Sequence, residues 1–437
     1  MTQRKMKDSG VAWIGQVPEG WKVFPLKYGV TKIGSGKTPL GGAEVYTDEG
    51  VLFLRSQNVY DDGLLLDDVK RIPCEIDNGM LGTRVVPGDV LLNITGGSIG
   101  RCCLYALDEK ANVNQHVCII RTRRDLLTNR FVRYYFNGFK ENIVEDNQQG
   151  GNRESLNFEQ IGNLRLPLPP LAEQRKIAAF LDGECGKIDV LRGKVEKQIA
   201  ALEEYRKSVI TEAVTKGIRR GRKMKPSGVE WFDTIPTEWS CKRIKFFCYE
   251  ITDGSHFSPQ GHDDGFPYVT ATDVRGVGID FSKTIKISEE DYQQLVRSGC
   301  SLKKDDVLLV KDGATTGRVG YMTDNTPSVA LSSVAMLRSK PNCSKFLMYV
   351  MMSNAVQEQI LLSMAGSAMP RTTVSKIGGY YVTEPPIPEQ REIAAYLDRK
   401  CAAIDSMVAK CREELDRLAE YKKSLIYEYV TGKKEVA

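Results

Sequence analysis

The sequence contains no long apolar run. No stretch approaches the roughly 18 to 20 uninterrupted apolar residues that a membrane span needs. The first ten residues, MTQRKMKDSG, are charged and lead into no apolar segment of the kind found in secretion signals. With 437 residues, of which 41% are apolar, the chain has enough material for two or three domains that each bury a core. We therefore expect a soluble, cytosolic protein with no membrane partner.

A large excess of charge of one sign is also missing. The chain carries 61 basic and 56 acidic side chains, which give a formal net charge of +5. A nucleic-acid partner would therefore have to be bound by a local basic surface and not by the overall charge of the protein.

Patterns typical of metal sites and disulfides are absent as well. The eleven cysteines are an odd number, lie scattered in apolar and helix-like stretches, and form no Cys-x-x-Cys pair. This argues against a disulfide framework and against a zinc site. The three histidines, His116, His256 and His262, are widely separated, which predicts surface or core residues and no metal cluster.

What the sequence does contain is a tandem repeat. Met6–Lys27 (MKDSGVAWIGQVPEGWKVFPLK) and Met224–Lys245 (MKPSGVEWFDTIPTEWSCKRIK) match in register, at a constant offset of half the chain. The four tryptophans of the chain fall in these two segments at matched positions, namely Trp13, Trp21, Trp231 and Trp239. The pattern predicts an aromatic anchor segment at the start of each half, with the tryptophans as plain core residues.

A second matched pair of segments ends each half. Pro169–Asp182 (PPLAEQRKIAAFLD) and Pro385–Asp398 (PPIPEQREIAAYLD) are separated by almost the same offset as the first pair. Because paired prolines are excluded from helix interiors, each block predicts a helix start. The apolar spacing that follows is typical of a coiled coil, and roughly forty residues would give a rod of about 60 Å. The predicted seam comprises Ile177, Leu181, Ile188, Leu191, Val195, Leu202, Ile393, Leu397, Ile404, Met407, Leu418 and Leu425, with Tyr205 and Tyr421 in the same phase.

The regions between these blocks have a different residue pattern. Short apolar runs bounded by Gly, Asp and Asn predict strands and turns in each region, so each is expected to be a mixed α and β domain. The predicted strands are Val51–Leu54, Val90–Ile94, Val117–Ile120, Val307–Val310 and Val334–Leu337. The halves join through the basic segment Ile218–Lys225 (IRRGRKMK), which is either a solvated linker or a phosphate contact.

Three strings imitate catalytic signatures. Gly34–Thr38 (GSGKT) resembles the end of a phosphate-binding loop, but Thr31 stands where that loop needs a glycine and Pro39 follows at once. Glu384–Ile387 (EPPI) departs from the amino-methyltransferase motif at both its acidic and its aromatic position. Asp305 and Asp306 with Lys311 lack the second acid of a nuclease site. We therefore expect no catalytic site, no metal site and no cofactor in this chain.

The MKDSGVAWIGQVPEGW repeat, the two helices that begin PP-L/I-x-EQR, and the divergent domains between them resemble the specificity subunit of type I restriction-modification systems over essentially the whole chain. The resemblance implies an α+β fold: two mixed α/β target recognition domains separated by two long antiparallel coiled-coil helices, as a pseudo-twofold tandem repeat. It places the target recognition domains at residues 1–165 and 231–383, the conserved spacer helices at 166–216 and 384–431, and a basic linker at 217–230.

The same resemblance implies a non-catalytic, DNA-binding subunit of a DNA methylation complex. Each domain would read one half of a bipartite, asymmetric site in double-stranded DNA. The helices would dock two modification (methyltransferase) subunits and two restriction subunits, and S-adenosylmethionine, ATP and Mg are expected on those partners. The segment before each helix differs between the halves, ESLN at Glu154–Asn157 and PRTT at Pro370–Thr373, so the resemblance assigns it no role.

Base reading needs hydrogen-bonding side chains on loops or strand ends. The candidates are Arg55, Gln57, Asn58, Arg101, Asn114 and Gln115 in the first domain, and Thr270, Thr272, Lys311, Arg318, Ser332 and Arg371 in the second. Arg101 and Arg318 both follow a glycine turn at matched positions of the two halves, so they are the best pair for phosphate contact. The alternative is a coiled-coil scaffold protein whose domains bind protein or carbohydrate. A steep loss of DNA affinity with salt would separate the two interpretations.

Overall fold

The computed structural model describes residues 4–147, 155–276, 278–339, 344–364 and 370–436. Glu154, from the divergent segment ESLN, lies outside the described residues. The chain forms two compact units, Met1–Val195 with Glu413–Ala437, and Glu196–Arg412. Each unit holds one copy of the tryptophan repeat and one mixed domain. No described helix combines the length and hydropathy needed to cross a membrane.

The first unit is built from short strands and a few helices. Its strands are β1 (Met6–Asp8), β2 (Gln16–Pro18), β3 (Lys22–Pro25), β4 (Val30–Ser35), β5 (Val51–Leu54), β6 (Val59–Tyr60), β7 (Gly63–Leu64), β8 (Lys70–Ile72), β9 (Arg84–Val85), β10 (Val90–Asn93), β11 (Cys102–Leu104), β12 (Ala111–Val113), β13 (Val117–Thr122) and β14 (Arg165–Leu168). Its helices are α1 (Cys74–Asn78), α2 (Asn129–Asn147), α3 (Phe158–Asn163) and the first part of α4 (Leu171–Lys216).

The second unit repeats this order. Its strands are β15 (Met224–Val229), β16 (Phe232–Pro236), β17 (Ser240–Arg243), β18 (Cys248–Asp253), β19 (Phe266–Val269), β20 (Val274–Arg275), β21 (Gly278–Ile279), β22 (Ile285–Ile287), β23 (Val307–Val310), β24 (Val319–Tyr321), β25 (Val329–Ala330), β26 (Val334–Ser339) and β27 (Tyr381–Glu384). Its helices are α5 (Ile244–Phe247), α6 (Glu289–Arg297), α7 (Ser344–Met352), α8 (Asn354–Ser363), α9 (Val374–Gly379) and most of α10 (Ile387–Val430), whose last turns belong to the first unit.

The main sheets of the two units correspond strand for strand. The first unit has an antiparallel sheet in the order β11-β10-β13-β4, and the second has β24-β23-β26-β18. A second sheet, β8-β5-β12-β9, contains the parallel pair β5 and β12, and its counterpart β22-β19-β25 contains the parallel pair β19 and β25. The tandem repeat predicted from the sequence is therefore also a repeat of topology.

The central strands of these sheets are apolar on both faces. Val90 and Leu92 of β10 belong to one core cluster of the first unit, whereas Leu91 between them belongs to another. A sheet covered on both sides needs continuous apolar strands instead of alternating ones. The five strands predicted from such runs are confirmed, as β5, β10, β13, β23 and β26, with ends that differ by at most two residues.

The two predicted long helices are confirmed, and each begins directly after its proline pair, at Leu171 and Ile387. Within the first unit, Phe180 of α4 packs on Tyr429 of α10, with ring centroids 4.4 Å apart, and the Nζ of Lys422 lies 2.7 Å from Asp189 Oδ1. Along this contact the residue numbers of α4 increase as those of α10 decrease, so the two helices run antiparallel there. The second unit shows the same direction, with Arg412 beside Glu203 at 3.5 Å and Arg206 beside Asp405 at 3.3 Å.

The structure corrects two positions of the predicted seam. Leu191 and Met407 are 48% and 52% exposed, so their assignment to the seam is wrong. The following residues, Arg192 and Val408, are half-buried and buried in their place. Tyr205 and Tyr421 are also more than half exposed. The other seam residues are buried or half-buried, namely Ile177, Leu181, Ile188, Val195, Leu202, Ile393, Leu397, Ile404, Leu418 and Leu425.

The errors at Leu191, Tyr205 and Tyr421 share a physical cause, which does not apply to Met407 because the seam residue beside it is the apolar Val408. Strict alternation of three and four residues from Ile188 leads through Arg192 and Val195 to Arg206, and the prediction chose apolar neighbours over these charged residues. Long basic side chains can bury their stems while their charged ends find acids. Arg206 and Lys422 do this, since their side chains are only 19% and 20% exposed and pair with Asp405 and Asp189.

Within each unit, the tryptophan repeat contacts the segment that begins the long helix. Trp21 Nε1 donates a hydrogen bond of 3.0 Å to Glu173 Oε2, in the EQR segment of α4. Trp239 Nε1 donates one of 3.0 Å to Glu389 Oε2, in the EQR segment of α10. The tryptophans at these two positions are therefore core residues with a specific polar partner, which the sequence analysis missed.

Candidate DNA interface

Four segments of the first unit meet where strands β4, β5 and β10 end and β13 begins. Gly36 N donates to Asn114 O at 3.1 Å, Asn114 N donates to Leu54 O at 3.0 Å, and Ile94 N donates to His116 O at 3.0 Å. We call residues 36–38, 55–58, 94–98 and 114–116 the first loop edge. It places Gln57, three residues after Leu54, on the same edge as Asn114 and Gln115, which are far from it in the sequence.

Gly36, in the GSGKT string that imitates a phosphate-binding loop, has a structural role. A Cβ built on Gly36 would lie 1.5 Å from Val113 O, and one on the matched Gly254 would lie 2.0 Å from Ala330 O. Both glycines therefore permit a close approach of two backbone segments. Val30–Ser35 is a strand, and a short 3-10 turn at Gly42–Val45 comes next instead of a helix that could receive a phosphate.

This close approach gives a testable result. We expect Gly36→Ala to lower the free energy of unfolding by more than about 2 kcal/mol, because backbone must move to admit the methyl group. Gly34→Ala is the matched control, since a Cβ at Gly34 meets no atom within 4 Å. Urea unfolding of both variants measures the difference. Equal stability of the two variants would contradict the proposed role of Gly36.

Polar side chains form a chain along the first loop edge. Thr38 Oγ1 hydrogen-bonds to Gln115 Oε1, Gln115 Nε2 lies 3.2 Å from His116 Nε2, and His116 Nδ1 lies 2.6 Å from Thr95 Oγ1. Gln115 is exposed and His116 is half-buried. From the sequence, His116 was predicted to be an ordinary surface or core residue. Its place directly after Asn114 and Gln115, at the start of a strand, was the signal available.

Two other candidates of the first domain, Asn58 and Asn114, use their side chains to stabilise the loops. Asn58 is 2% exposed, accepts a hydrogen bond of 2.9 Å from Arg55 N, and donates one of 2.9 Å to Leu65 O. Asn114 is also buried, and its Oδ1 accepts from His116 N at 3.1 Å. These two residues shape the loops, whereas the exposed Gln115 is able to reach a ligand.

Arg55 and Gln57 share one acid. Arg55 Nη2 donates to Asp68 O at 2.9 Å, and Gln57 Nε2 donates to Asp68 Oδ2 at 3.0 Å. The hydrogen bond and the charge of Lys70, with smaller contributions from Arg55, hold the pKa of Asp68 below its ordinary value. Arg55 is half-buried and Gln57 exposed, so both are held in place at the rim of the first loop edge.

Arg101 and Arg318, the predicted phosphate pair, occupy matched backbone positions. Asn93 N donates to Arg101 O at 2.9 Å, and Val310 N donates to Arg318 O at 2.8 Å. Their side chains differ in surroundings. The Arg101 guanidinium lies 4.5 Å from the Tyr60 ring centroid and lines a cavity of 570 Å³ with Asp61. Arg318 is exposed and donates from Nη1 to Val274 O at 3.2 Å.

The second unit forms an equivalent edge. Ser255 N donates to Ala330 O at 2.8 Å, Ser332 N donates to Ser255 O at 2.8 Å, and Lys311 N donates to Ser333 O at 2.8 Å. We call residues 254–257, 270–273, 311–317, 331–333 and 370–372 the second loop edge. It brings together five of the six predicted residues of this domain, Thr270, Thr272, Lys311, Ser332 and Arg371.

The second loop edge is more highly charged than the first. Lys311 is 3% exposed, and its Nζ lies 2.7 Å from Asp312 Oδ2 and 3.4 Å from Asp253 Oδ2. Arg371 is exposed, with Nε 2.9 Å from Asp312 Oδ1. Because Lys311 is enclosed by these acids, its ammonium group is not available at the surface. Lys311 and Arg371 were predicted from the sequence, whereas Asp253 and Asp312 were not.

Thr270 and Thr272 lie in the turn after β19. Thr270 Oγ1 donates to Asp273 Oδ2 at 2.7 Å and lies 2.8 Å from Thr272 Oγ1. Thr272 is exposed, and Ser332 is half-buried. Thr272 is therefore better placed than Thr270 to contact a ligand.

The acid suspected in a nuclease motif has a structural partner. Asp306 Oδ1 lies 3.0 Å from Arg338 Nε, and both side chains are 3% exposed. The first unit has the matched pair of Asp89 Oδ1 and Arg121 Nε, 2.7 Å apart. Burial raises the pKa of Asp306 above its ordinary value, and the hydrogen bond and charge of Arg338 oppose that shift. The pair braces the sheet in both units.

Comparison with known proteins matches these two domains to one family. The family model described as "Type I restriction modification DNA specificity domain" matches residues 18–199 and 238–416. The chain belongs to this family. Each matched segment contains one loop edge, and the chain is a specificity subunit of a type I restriction-modification system with two target recognition domains. This membership favours DNA specificity over the alternative of a coiled-coil scaffold.

Similar proteins cover four-fifths or more of the chain. The MjaVIII specificity subunit of Methanocaldococcus jannaschii is 24% identical over 96% of this chain and 94% of its own length. The EcoBI specificity subunit of Escherichia coli is 25% identical over 80% of this chain and 74% of its own length. A solved chain from a study of type I R-M complex assembly and conformational transition superposes with a TM-score of 0.70 at 16% identity, covering 96% of this chain and 99% of that one. The last likeness shows the shared fold.

Proposed function

We propose that each loop edge reads one half of a bipartite site in double-stranded DNA. The observation that supports this most directly is the pair of loop edges, which have the same backbone pattern and different side chains. Exposed amide, hydroxyl and guanidinium groups are suited to the hydrogen-bonding edges of bases in the major groove. Since the two edges differ in chemistry, the two half-sites differ in sequence and the whole site is asymmetric.

Binding to duplex DNA is tested by its salt dependence and by selection. Phosphate contacts release counterions, so the affinity of the full chain for its site should fall steeply as salt rises. A randomised duplex library, bound by the chain and sequenced, should yield two conserved blocks separated by a spacer of constant length. An affinity that does not change with salt, or a selected pool with no conserved block, would reject the proposal.

Each domain is proposed to act independently of the other. Exchanging residues 28–160 for the corresponding segment of another family member should change one half-site and leave the other intact. The exchanged segment contains the first loop edge and none of the second, which is the physical reason for this expectation. Library selection by the exchanged chain measures both half-sites at once. A change in both blocks would contradict independent reading.

The chain is proposed to have no chemistry of its own. S-adenosylmethionine, ATP and Mg would be bound by two modification subunits and two restriction subunits. The motif residues support this, since the GSGKT string belongs to a strand and a close backbone contact, and Asp306 is committed to Arg338. We expect the purified chain with S-adenosylmethionine alone to transfer no methyl group to DNA, as measured with a radiolabelled methyl donor. Methyl transfer that follows the purified chain through successive columns would overturn this proposal.

The outer faces of the long helices are proposed to dock the modification subunits. Leu191 and Met407 are exposed at matched positions of the two helices, and so are Tyr205 and Tyr421. Since large apolar residues are exposed at the same places in both copies of the helix, two copies of one partner could bind equivalently. In this proposal the buried seam between the helices contributes to folding and takes no part in docking.

A further inference from the structure

We propose that Arg371 reads a guanine in the second half-site and that Asp312 is its positioning residue. This inference rests on the proposed function and adds to it the base that one side chain recognises. Arg371 belongs to the divergent segment before α10, to which the family resemblance assigns no role.

The backbone holds Arg371 at a defined place on the second loop edge. Gly313 N donates to Pro370 O at 2.9 Å, and Thr372 N donates to Lys311 O at 2.9 Å. Thr372 is fully buried, with its Oγ1 2.6 Å from the hydroxyl of Tyr380. Both neighbours of Arg371 are thus fixed, while the Arg371 side chain itself is 59% exposed. A fixed backbone with an outward side chain is what a preorganised contact requires.

A series of alternating charges lies beside the guanidinium, in which Arg371 and Asp312 form an ion pair without a hydrogen bond. Asp312 contacts Arg371 through Oδ1 at 2.9 Å and Lys311 through Oδ2 at 2.7 Å, and Lys311 also lies 3.4 Å from Asp253. The buried lysine holds the Asp312 carboxylate in place. Because Arg371 meets Asp312 through Nε, the two terminal nitrogens can point away from it. Such a planar fork matches the O6 and N7 acceptors of guanine.

The same charges argue against a phosphate as the ligand of Arg371. The two acids of the series, Asp253 and Asp312, balance the charges of Lys311 and Arg371, so the group has no net positive charge to attract a phosphate. The Asp312 carboxylate in contact with the guanidinium would also repel a phosphate that approached it. A base edge carries only partial charges, so this repulsion is weaker for guanine than for a phosphate. A carboxylate next to an arginine therefore favours base reading over backbone contact.

The first unit has the same backbone arrangement without the arginine. Leu156 N donates to Ile94 O at 2.9 Å. Ser155 and Thr95 form an antiparallel backbone β-bridge, and Arg371 and Asp312 form the same kind of bridge in the second unit. The matched residues there are uncharged, with Ser155 for Arg371, Thr95 for Asp312 and Ile94 for Lys311. The guanine contact is accordingly assigned to the second half-site alone.

The test compares base preferences of the full chain and its variants on a randomised duplex library. The wild-type chain should select a guanine at a defined position of the half-site that the residue 28–160 exchange leaves unchanged. Arg371→Ala should lose that preference and bind the selected site about ten- to a hundred-fold more weakly. Arg371→Lys keeps the charge but lacks the planar fork, so it should weaken the preference less than Arg371→Ala does. Arg297→Ala removes an exposed arginine from the end of α6 and is the charge-matched control, with no change of preference expected.

A second variant tests the positioning role. Asp312→Asn should keep Arg371 and its charge yet relax the guanine preference at the same position, with thermal unfolding confirming that the chain is folded. Uniform weakening of all sequences by Arg371→Ala, with a salt slope lower by about one, would identify a phosphate contact and overturn the inference. Retained guanine preference in Arg371→Ala would overturn it too. Selection of no sequence by the wild-type chain would overturn the proposed function together with this inference.

Discussion

Replacing Glu389 with alanine is expected to destabilise the second unit by about 3 to 5 kcal/mol. The Glu389 side chain is 6% exposed and accepts hydrogen bonds from Trp239 Nε1 at 3.0 Å and from Arg222 Nη2 at 3.2 Å. It also lies in the first turn of α10, where a negative charge is favourable. The substitution would leave a largely buried guanidinium and a buried indole N–H without their main acceptor.

The first unit supplies a matched comparison. Glu173 accepts from Trp21 at 3.0 Å and pairs with Arg4 at 2.6 Å, but its side chain is 22% exposed and that of Arg4 is 29% exposed. Water can therefore replace part of what Glu173→Ala removes, and we expect a smaller loss of about 1 to 2 kcal/mol. Both glutamates pair with one tryptophan and one arginine. We therefore expect the larger loss of stability at Glu389 because its side chain is more deeply buried.

Hydrogen exchange can assign each loss to its unit. Since the chain has two units, its unfolding need not be a single two-state transition. In Glu389→Ala, amides of β15–β17 and of the start of α10 should exchange faster, while those of β1–β3 should be unchanged. Glu389→Gln keeps an acceptor for Trp239 and should lose less stability than the alanine variant. A Glu389→Ala chain as stable as the wild type would show that this triad does not hold the repeats together.

The sequence was sufficient to predict elements that local pattern determines. Val51–Leu54 and Val307–Val310 are strands with the predicted ends, because a sheet between two cores needs uninterrupted apolar residues and polar turns stop them. The helix starts at Leu171 and Ile387 follow from proline chemistry. In these places the local preference and the tertiary environment agree.

Contacts between distant segments were not accessible in the same way. The Trp239–Glu389 bond joins two separate repeats, and nothing in the local pattern of either repeat specifies the other as its partner. Asp312 was missed because an acid next to a lysine is ordinary on a surface, and only burial of Lys311 reveals the connected charges. Asn58 was proposed as a base reader because its type is suitable, whereas the fold uses its amide inside the loop.

The seam correction leads to a prediction about two adjacent residues of α10. Val408 is 7% exposed and Met407 is 52% exposed. We expect Val408→Asp to cost about 3 to 5 kcal/mol, because it buries an unpaired carboxylate among apolar groups. Met407→Asp introduces the same side chain one position earlier on the solvent side, so we expect a change within about 0.5 kcal/mol beyond the small helix-propensity penalty. Urea unfolding of the two variants measures both values.

The pair also separates folding from docking. If the modification subunit binds the outer face, Met407→Asp should leave the chain folded and still reduce capture of that subunit, since a charge replaces an exposed apolar contact. Arg417→Ala, at an exposed polar position of the same helix, tests whether any surface change has this effect. Unimpaired capture by a folded Met407→Asp chain would move the docking site away from this face. Equal destabilisation by both aspartates would restore Met407 to the seam, because only a buried position can lose that much stability to one carboxylate.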